Sequence, residues 1–267
     1  MNDIIKTGKL GPLKTGFAAR VDSAKKQGTL ATELFDCTKY PNRIVLCIDD
    51  SGSMSSVMSD CPACGGSKQY IGSFGESLEE CSHCKDKSKE SRMTMCRKAC
   101  EEFLNVCDSR DTALGMYTIS TGREYPLTNL YIPLLGYIRE LQASGGTPTI
   151  ATLDKVISKE KVSRVVLVSD GESGALDWYS TGREGSSFTS TARVVLDKYK
   201  ERKIPIDTVF IGSQGDESSS GYKEMSLIAD YTDGLFMFFK SGESFRSKFK
   251  YLAPAFRGML VAGEIKL

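Results

Sequence analysis

Three observations predict a doubly wound α/β fold, with a mostly parallel central sheet and helices on both faces. Apolar runs of strand length recur along the 267-residue chain. Segments with helical apolar spacing separate them. The apolar runs also stop abruptly in Asp, Ser and Gly. A strand buried on both faces reads as a near-continuous apolar run, and strands alternating with helices build parallel βαβ units.

Each element follows in chain order. Residues 1–40 are polar, with scattered Gly and Lys and weak periodicity, and read as an N-terminal extension. Residues 43–49, RIVLCID, are the first buried strand. Residues 93–107 place Met93, Cys96, Cys100, Phe103, Leu104 and Cys107 on one helical face. Residues 112–120, TALGMYTIS, form a strand, and 123–132 its hairpin partner. PLLGYIRELQ (133–142) and 148–158 read as helices. SRVVLVSD (163–170) is a second buried strand. Helix 191–203, strand 205–213, helix 222–230 and strand 234–239 continue the alternation, and 242–253 reads as a final amphipathic helix. Loops 171–188 and 212–221 are rich in Gly and Ser and are expected to be exposed.

Composition narrows the function. Net charge is +1 with 26% charged residues, which argues against a strongly basic nucleic-acid binder and against an acidic solvating tail. Hydrophobic content of 40% supports a real core. The N-terminus has no uninterrupted apolar stretch of signal-peptide type, and no run approaches the roughly 20 apolar residues of a membrane span. Nine cysteines in such a setting point to reduced thiols and a cytoplasmic location, and the odd count fits, since not all nine can pair.

Ligands of open α/β sheets sit at the carboxyl ends of the strands. The first strand ends in Asp49, Asp50, Ser51, Gly52 and Ser53; the second ends in Asp170, Gly171 and Glu172; and SGGTPT between them offers Thr147 just before a helix. A D-x-S-x-S loop can aim one carboxylate and two hydroxyls at one point. These hard oxygen donors suit Mg²⁺ or Mn²⁺. A bland alternative is that Asp49 and Ser51 merely cap the following helix.

DDSGSM, GGTPT and VSDGE, in this order and on these elements, resemble the von Willebrand factor A (vWA) domain over about residues 41–260. The resemblance implies a Rossmann-like, doubly wound vWA fold and a metal-ion-dependent adhesion site, or MIDAS. In that site Ser51, Ser53 and Thr147 contact the metal through hydroxyls, while Asp49 and Asp170 act largely through water or as supporting partners. A metal with few direct anionic ligands keeps its charge poorly neutralised, and in the family a partner's Asp or Glu completes its shell. The resemblance further implies a protein–protein interaction module. Intracellular members of the family often serve as adaptors for AAA+ ATPases or larger assemblies. In extracellular members the last helix shifts when the metal changes ligand.

One segment departs from the family. Residues 58–90 interrupt the path from the metal loop to the next helix. Within them CPAC (61–64) and CSHC (81–84) are separated by sixteen residues, a spacing suited to a four-cysteine Zn²⁺ site. The segment is too short and polar to fold on an apolar core, so a metal must hold it. The expected ligands of this zinc ribbon are Cys61, Cys64, Cys81 and Cys84. His83, the only histidine, could replace Cys84, though two regular knuckles favour four thiolates. A redox dithiol is the other reading of the pairs.

Cys96, Cys100, Cys107 and Cys47 read as packed small thiols; Cys37 is ambiguous. Trp178, the only tryptophan, borders the cation loops and is either a partner contact or, more commonly for such a residue, the anchor of its own loop. Enzymatic readings fare poorly. With His83 tied to a knuckle no Ser-His-Asp or Cys-His set remains, and neither a phosphate loop nor a G-x-S-x-G elbow occurs. Metal-dependent hydrolysis or assistance to phosphoryl transfer stays as a minor alternative. The main competitor is a nucleic-acid or ribonucleoprotein role, through the ribbon and a local patch of Lys85, Lys87, Lys89, Arg92 and Arg97.

Overall fold

The computed structural model describes residues 36–56, 69–71, 78–80, 91–171, 173, 178–180, 186–212, 216–239 and 248–254. The chain separates into two units, Met1–Lys39 and Tyr40–Leu267. In the first, a 3₁₀ turn spans Cys37–Lys39, and the Asp36 carboxylate accepts from the Thr38 amide at 3.1 Å.

The second unit is built on a six-stranded sheet. Its strands are β1 (Asn42–Ile48), β4 (Thr112–Thr118), β5 (Glu124–Thr128), β6 (Arg164–Ser169), β9 (Ile206–Ile211) and β10 (Phe236–Phe239), in the order β10-β9-β6-β1-β4-β5. All neighbours are parallel except the hairpin partner β5, which runs antiparallel to β4 at one edge. The sheet is therefore the mostly parallel one the sequence predicts. β4, β6 and β9 are buried at every residue, as their continuous apolar character requires.

Alternate residues of each strand serve opposite faces. Ile44, Leu46 and Ile48 of β1, with Leu114, Met116, Val166, Val168, Val209 and Ile211, form one face of the core. Helix α1 (Arg92–Val106) covers it with Met93, Cys96, Cys100, Phe103 and Leu104, and α2 (Tyr131–Arg139) adds Leu134 and Ile138. α2 begins two residues before its predicted start, because Pro133 is tolerated within a first helical turn. On the other face lie α3 (Thr149–Lys159), α4 (Ser190–Glu201) and α5 (Ser220–Tyr231). There the Tyr199 hydroxyl donates to the Leu153 carbonyl, and Thr208 of β9 donates to the Met225 carbonyl, both at 2.8 Å.

Two expectations need correction. The stretch 171–188 is not all loop: β7 (Trp178–Ser180) and β8 (Ser186–Phe188) form an antiparallel pair, and Phe188 is buried edge-to-face against Tyr231. The aromatic residues within the Gly/Ser-rich stretch supply the strand-forming character. In 212–221, Asp216–Ser218 is a 3₁₀ turn, and Ser219 caps α5 by accepting from the Tyr222 amide at 3.1 Å. Of the final helix, only 248–254 is described, and there a 3₁₀ turn, Phe249–Leu252, packs Phe249 on Phe103 with ring centroids 5.6 Å apart.

Candidate cation site

β1 and β6 are neighbours in register, so their carboxyl ends bring Asp49 and Ser169 side by side. The Asp49 amide donates to the Val168 carbonyl at 2.8 Å, extending the ladder one residue past β1. The Asp49 side chain is fully buried. One oxygen accepts from the Ser51 amide at 2.8 Å and the other from the Ser169 hydroxyl at 2.6 Å. Burial raises the Asp49 carboxyl to about 6; the Asp170 charge adds to this rise, and the hydrogen bonds from Ser169 and Ser51 oppose it.

From Asp49 a polar row crosses the sheet edge. The Ser51 and Ser53 hydroxyls lie 2.9 Å apart, and the Ser53 hydroxyl donates to Asp170 Oδ1 at 3.0 Å. Ser51 precedes a 3₁₀ turn, Gly52–Ser55, but its side chain caps nothing. The helix-capping alternative is thus not realised, and the hydroxyl is left for the row. The loop before α3 is drawn to the same edge by two bonds, Gly52 amide to Gly145 carbonyl at 3.0 Å and Ser144 amide to Asp50 carbonyl at 2.6 Å. Gly145 adopts a φ of +78°, a conformation that favours glycine. Thr147 follows two residues later and is half-buried; among the described residues its hydroxyl has no hydrogen-bond partner. The structure therefore links Asp49, Ser51, Ser53 and Asp170 directly, and brings Thr147 to their edge without a direct bond.

Sequence reasoning missed several residues that support this edge. Asp50 is also buried, and accepts from the Ser120 amide at 2.6 Å and from the Thr121 hydroxyl. It thereby ties the loop after β4 to the loop after β1. Ser169 was legible in principle, since the register that places Val168 beside Ile48 places it beside Asp49. A buried polar group lies behind the site: Ser173 Oγ bonds both Thr149 at 3.1 Å and the Glu224 carboxylate of α5. Gly171, at φ +89°, lets this loop approach α5, since a Cβ there would stand 2.7 Å from the Gly221 backbone. Lastly, Arg92 at the start of α1 pairs with Asp170 Oδ2 at 2.7 Å.

That pairing changes the reading of the basic patch. Arg92 turns inward to Asp170, and Arg97 donates to the Arg139 carbonyl and to Thr94. Lys85, Lys87 and Lys89 lie outside the described residues, as do Cys61, Cys64, Cys81 and Cys84. Trp178 is described only as backbone, paired with Phe188. Between the two CxxC pairs, β2 (Gln69–Ile71) and β3 (Leu78–Glu80) form an antiparallel hairpin. Cys47, Cys96, Cys100 and Cys107 are free and buried, as expected of packed thiols.

The oxygens at the sheet edge form a hard donor set, and it fits a small divalent cation better than a softer metal. Among the described residues no group of three or more His, Cys, Asp or Glu side chains is assembled to hold a metal. No helix of the described residues is long and apolar enough to cross a membrane.

No protein-family profile and no curated protein sequence matches this chain. Solved structures do. A von Willebrand factor type A protein from Catenulispora acidiphila is 14% identical, over 80% of this chain and 42% of that one, with a TM-score of 0.52. The pilus adhesin SpaC from Lactobacillus rhamnosus GG is 15% identical, over 81% of this chain and 30% of that one, with a TM-score of 0.51. The vWF domain of the type V pili tip protein Mfa5 from Porphyromonas gingivalis is 12% identical, over 85% of this chain and 97% of that one, with a TM-score of 0.50. At these identities the likeness is one of architecture, and it agrees with the strand order and helix placement described above: the chain has the doubly wound fold of von Willebrand factor A domains.

Proposed function

We propose that this protein is a metal-ion-dependent protein–protein interaction module that works inside the cell. Mg²⁺ or Mn²⁺ binds at the carboxyl edge of the sheet through the hydroxyls of Ser51, Ser53 and Thr147. Asp49 holds the Ser51 amide, Asp170 holds the Ser53 hydroxyl, and both carboxylates act through water. An Asp or Glu of a partner protein completes the shell. The observation that carries this reading is the pair of Ser51 and Ser53 hydroxyls leading to Asp170, in a loop whose Ser51 amide is held by Asp49. Caps and turns account for single members of such a row, but not for two serine hydroxyls aligned between two buried aspartates. Two structural neighbours, a pilus adhesin and a pilus tip protein, are in keeping with a surface that grips other proteins.

Zn²⁺ held by Cys61, Cys64, Cys81 and Cys84 organises a ribbon beside this edge, and the β2–β3 hairpin between the two pairs supports a compact insertion. Free thiols at Cys47, Cys96, Cys100 and Cys107 support a reducing compartment. The module acts as an adaptor to an AAA+ ATPase or a larger assembly, with no turnover of its own. The test is a quantitative pull-down from host extract in Mg²⁺, comparing wild type with the Ser51→Ala/Ser53→Ala variant. A protein partner held by the wild type and lost by the variant supports the reading. Equal recovery from both, or nucleic acid dominating both samples, counts against it and turns attention to the ribbon.

A further inference from the structure

Asp170 uses its two oxygens differently. Oδ1 accepts from Ser53 and so faces the hydroxyl row; Oδ2 is held by the Arg92 guanidinium at 2.7 Å. Only 2% of the Asp170 side chain and 18% of the Arg92 side chain are exposed, so solvent screens this pair weakly. The position of Arg92 is fixed from the backbone. Its amide donates to the Ser56 carbonyl at 2.9 Å, at the end of the metal loop, and the preceding Ser91 caps α1 by accepting from the Thr94 amide. Arg92 Nε is buried and has no hydrogen-bond partner among the described residues. Among the described residues, Asp170 is the side chain that holds the guanidinium inward.

The geometry points to Arg92 as a resident counter-ion that sets the charge of the cation site. The inference rests on the cation-site reading above. Asp49 and Asp170 together match the charge of a divalent ion, and such a site is electrically satisfied once loaded. Arg92 removes one of those negative charges. The consequences have opposite signs. Arg92 weakens the hold on the cation, because like charges now share one carboxylate. It also leaves the loaded site with a surplus positive charge, and this strengthens its pull on an incoming carboxylate. Arg92 is in this sense a specificity-determining residue for acidic partners, acting through Asp170. A merely structural role would move both affinities down together when the residue is replaced.

The experiment titrates Mn²⁺ alone into the full chain carrying its zinc, with free Mn²⁺ read by electron paramagnetic resonance. Acetate is then added to the Mn²⁺-loaded protein as the carboxylate probe, followed by water-proton relaxation. Arg92→Gln is expected to bind Mn²⁺ about tenfold more tightly than wild type and acetate several-fold more weakly, the order expected for one charge at a partly buried site. Arg92→Lys, which keeps the charge, is expected to stay near wild type in both. Arg92→Met, which carries no polar atom, serves as the neutral variant if Arg92→Gln does not fold. Mn²⁺ binding by the neutral variant that is unchanged or weaker overturns the inference, as does equal tightening in Arg92→Lys. If folded wild type itself binds no Mn²⁺, the cation-site reading falls and the inference falls with it. That outcome is distinct from the others, in which wild type binds.

Discussion

Strand β6 carries a buried ion pair at each end, and the two differ in what surrounds them. At the amino end, Arg164 faces Asp207 of β9 at 3.4 Å and also donates to the Leu252 carbonyl at 2.8 Å, while Asp207 accepts from the Leu235 amide at 2.9 Å. Every one of these partners belongs to the strand ends or the closing 3₁₀ turn, so the pair is a clamp. At the carboxyl end, Asp170 meets Arg92 with one oxygen and a row of hydroxyls with the other. The same chemistry locks the fold at one end and meets a row of hydroxyls at the other. Burial alone does not separate the two, since both aspartates are nearly inaccessible. What separates them is whether the remaining acceptor faces a backbone amide or a hydroxyl that can turn to a ligand.

The largest expected effect breaks the clamp. Asp207→Ala should cost about 3–5 kcal/mol in urea unfolding, because it strands a buried guanidinium, and it should leave Mn²⁺ affinity unchanged. A loss under about 1 kcal/mol would show that the amino-end pair is not a clamp.

The next effect belongs to Asp49 at the other end. Its carboxyl is raised from 3.8 to about 6, so the folded state binds this proton more tightly than the unfolded state does. The associated stability is complete below the unfolded value and is lost as pH rises through about 6. Metal-free protein should therefore become less stable between pH 4 and 6, by up to about 3 kcal/mol from this group. A nearby cation favours the carboxylate and removes that loss, so Mg²⁺ should raise the melting temperature more at pH 7 than at pH 5. Equal Mg²⁺ effects at the two pH values would separate Asp49 from the cation.

Gly171→Ala sharpens the comparison further. The added Cβ would press on the Gly221 backbone in a region of φ that strains any other residue. A cost of about 1–3 kcal/mol is expected, together with weakened Mn²⁺ binding, since Asp170 and Ser173 flank the strained position. Mn²⁺ binding at wild-type strength would show that the loop after β6 need not rest on α5.

The sequence made most of this frame legible. β1, β6 and β9 lie within two residues of their predicted runs, because strands buried on both faces leave a continuous apolar signal. The D-x-S-x-S loop stands out in the sequence because alternating short polar residues follow a buried strand, and the structure sets Asp49, Ser51 and Ser53 together at the sheet edge. The supporting residues were not, for a physical reason: Asp50, Ser169 and Glu224 act through tertiary partners 51 or more positions away. The role of Arg92 escaped for the same reason. In the sequence it groups with Lys85, Lys87, Lys89 and Arg97 as a local patch for nucleic acid, whereas in the fold its amide closes onto Ser56 and its side chain reaches Asp170. The hairpin at Trp178 and Phe188 escaped because its aromatics are diluted by Ser and Gly.

The smallest expected effect on stability is also the sharpest on function. Ser51→Ala/Ser53→Ala removes two partly screened hydroxyls and should change unfolding free energy by about 1–2 kcal/mol at most. Titration of Mn²⁺ into wild type and this variant, with free ion read by electron paramagnetic resonance, tests the central claim most directly. Tight Mn²⁺ binding is expected in the wild type, with its loss in the folded variant. Equal binding by the two would contradict it, because the hydroxyl row would then not be the cation site.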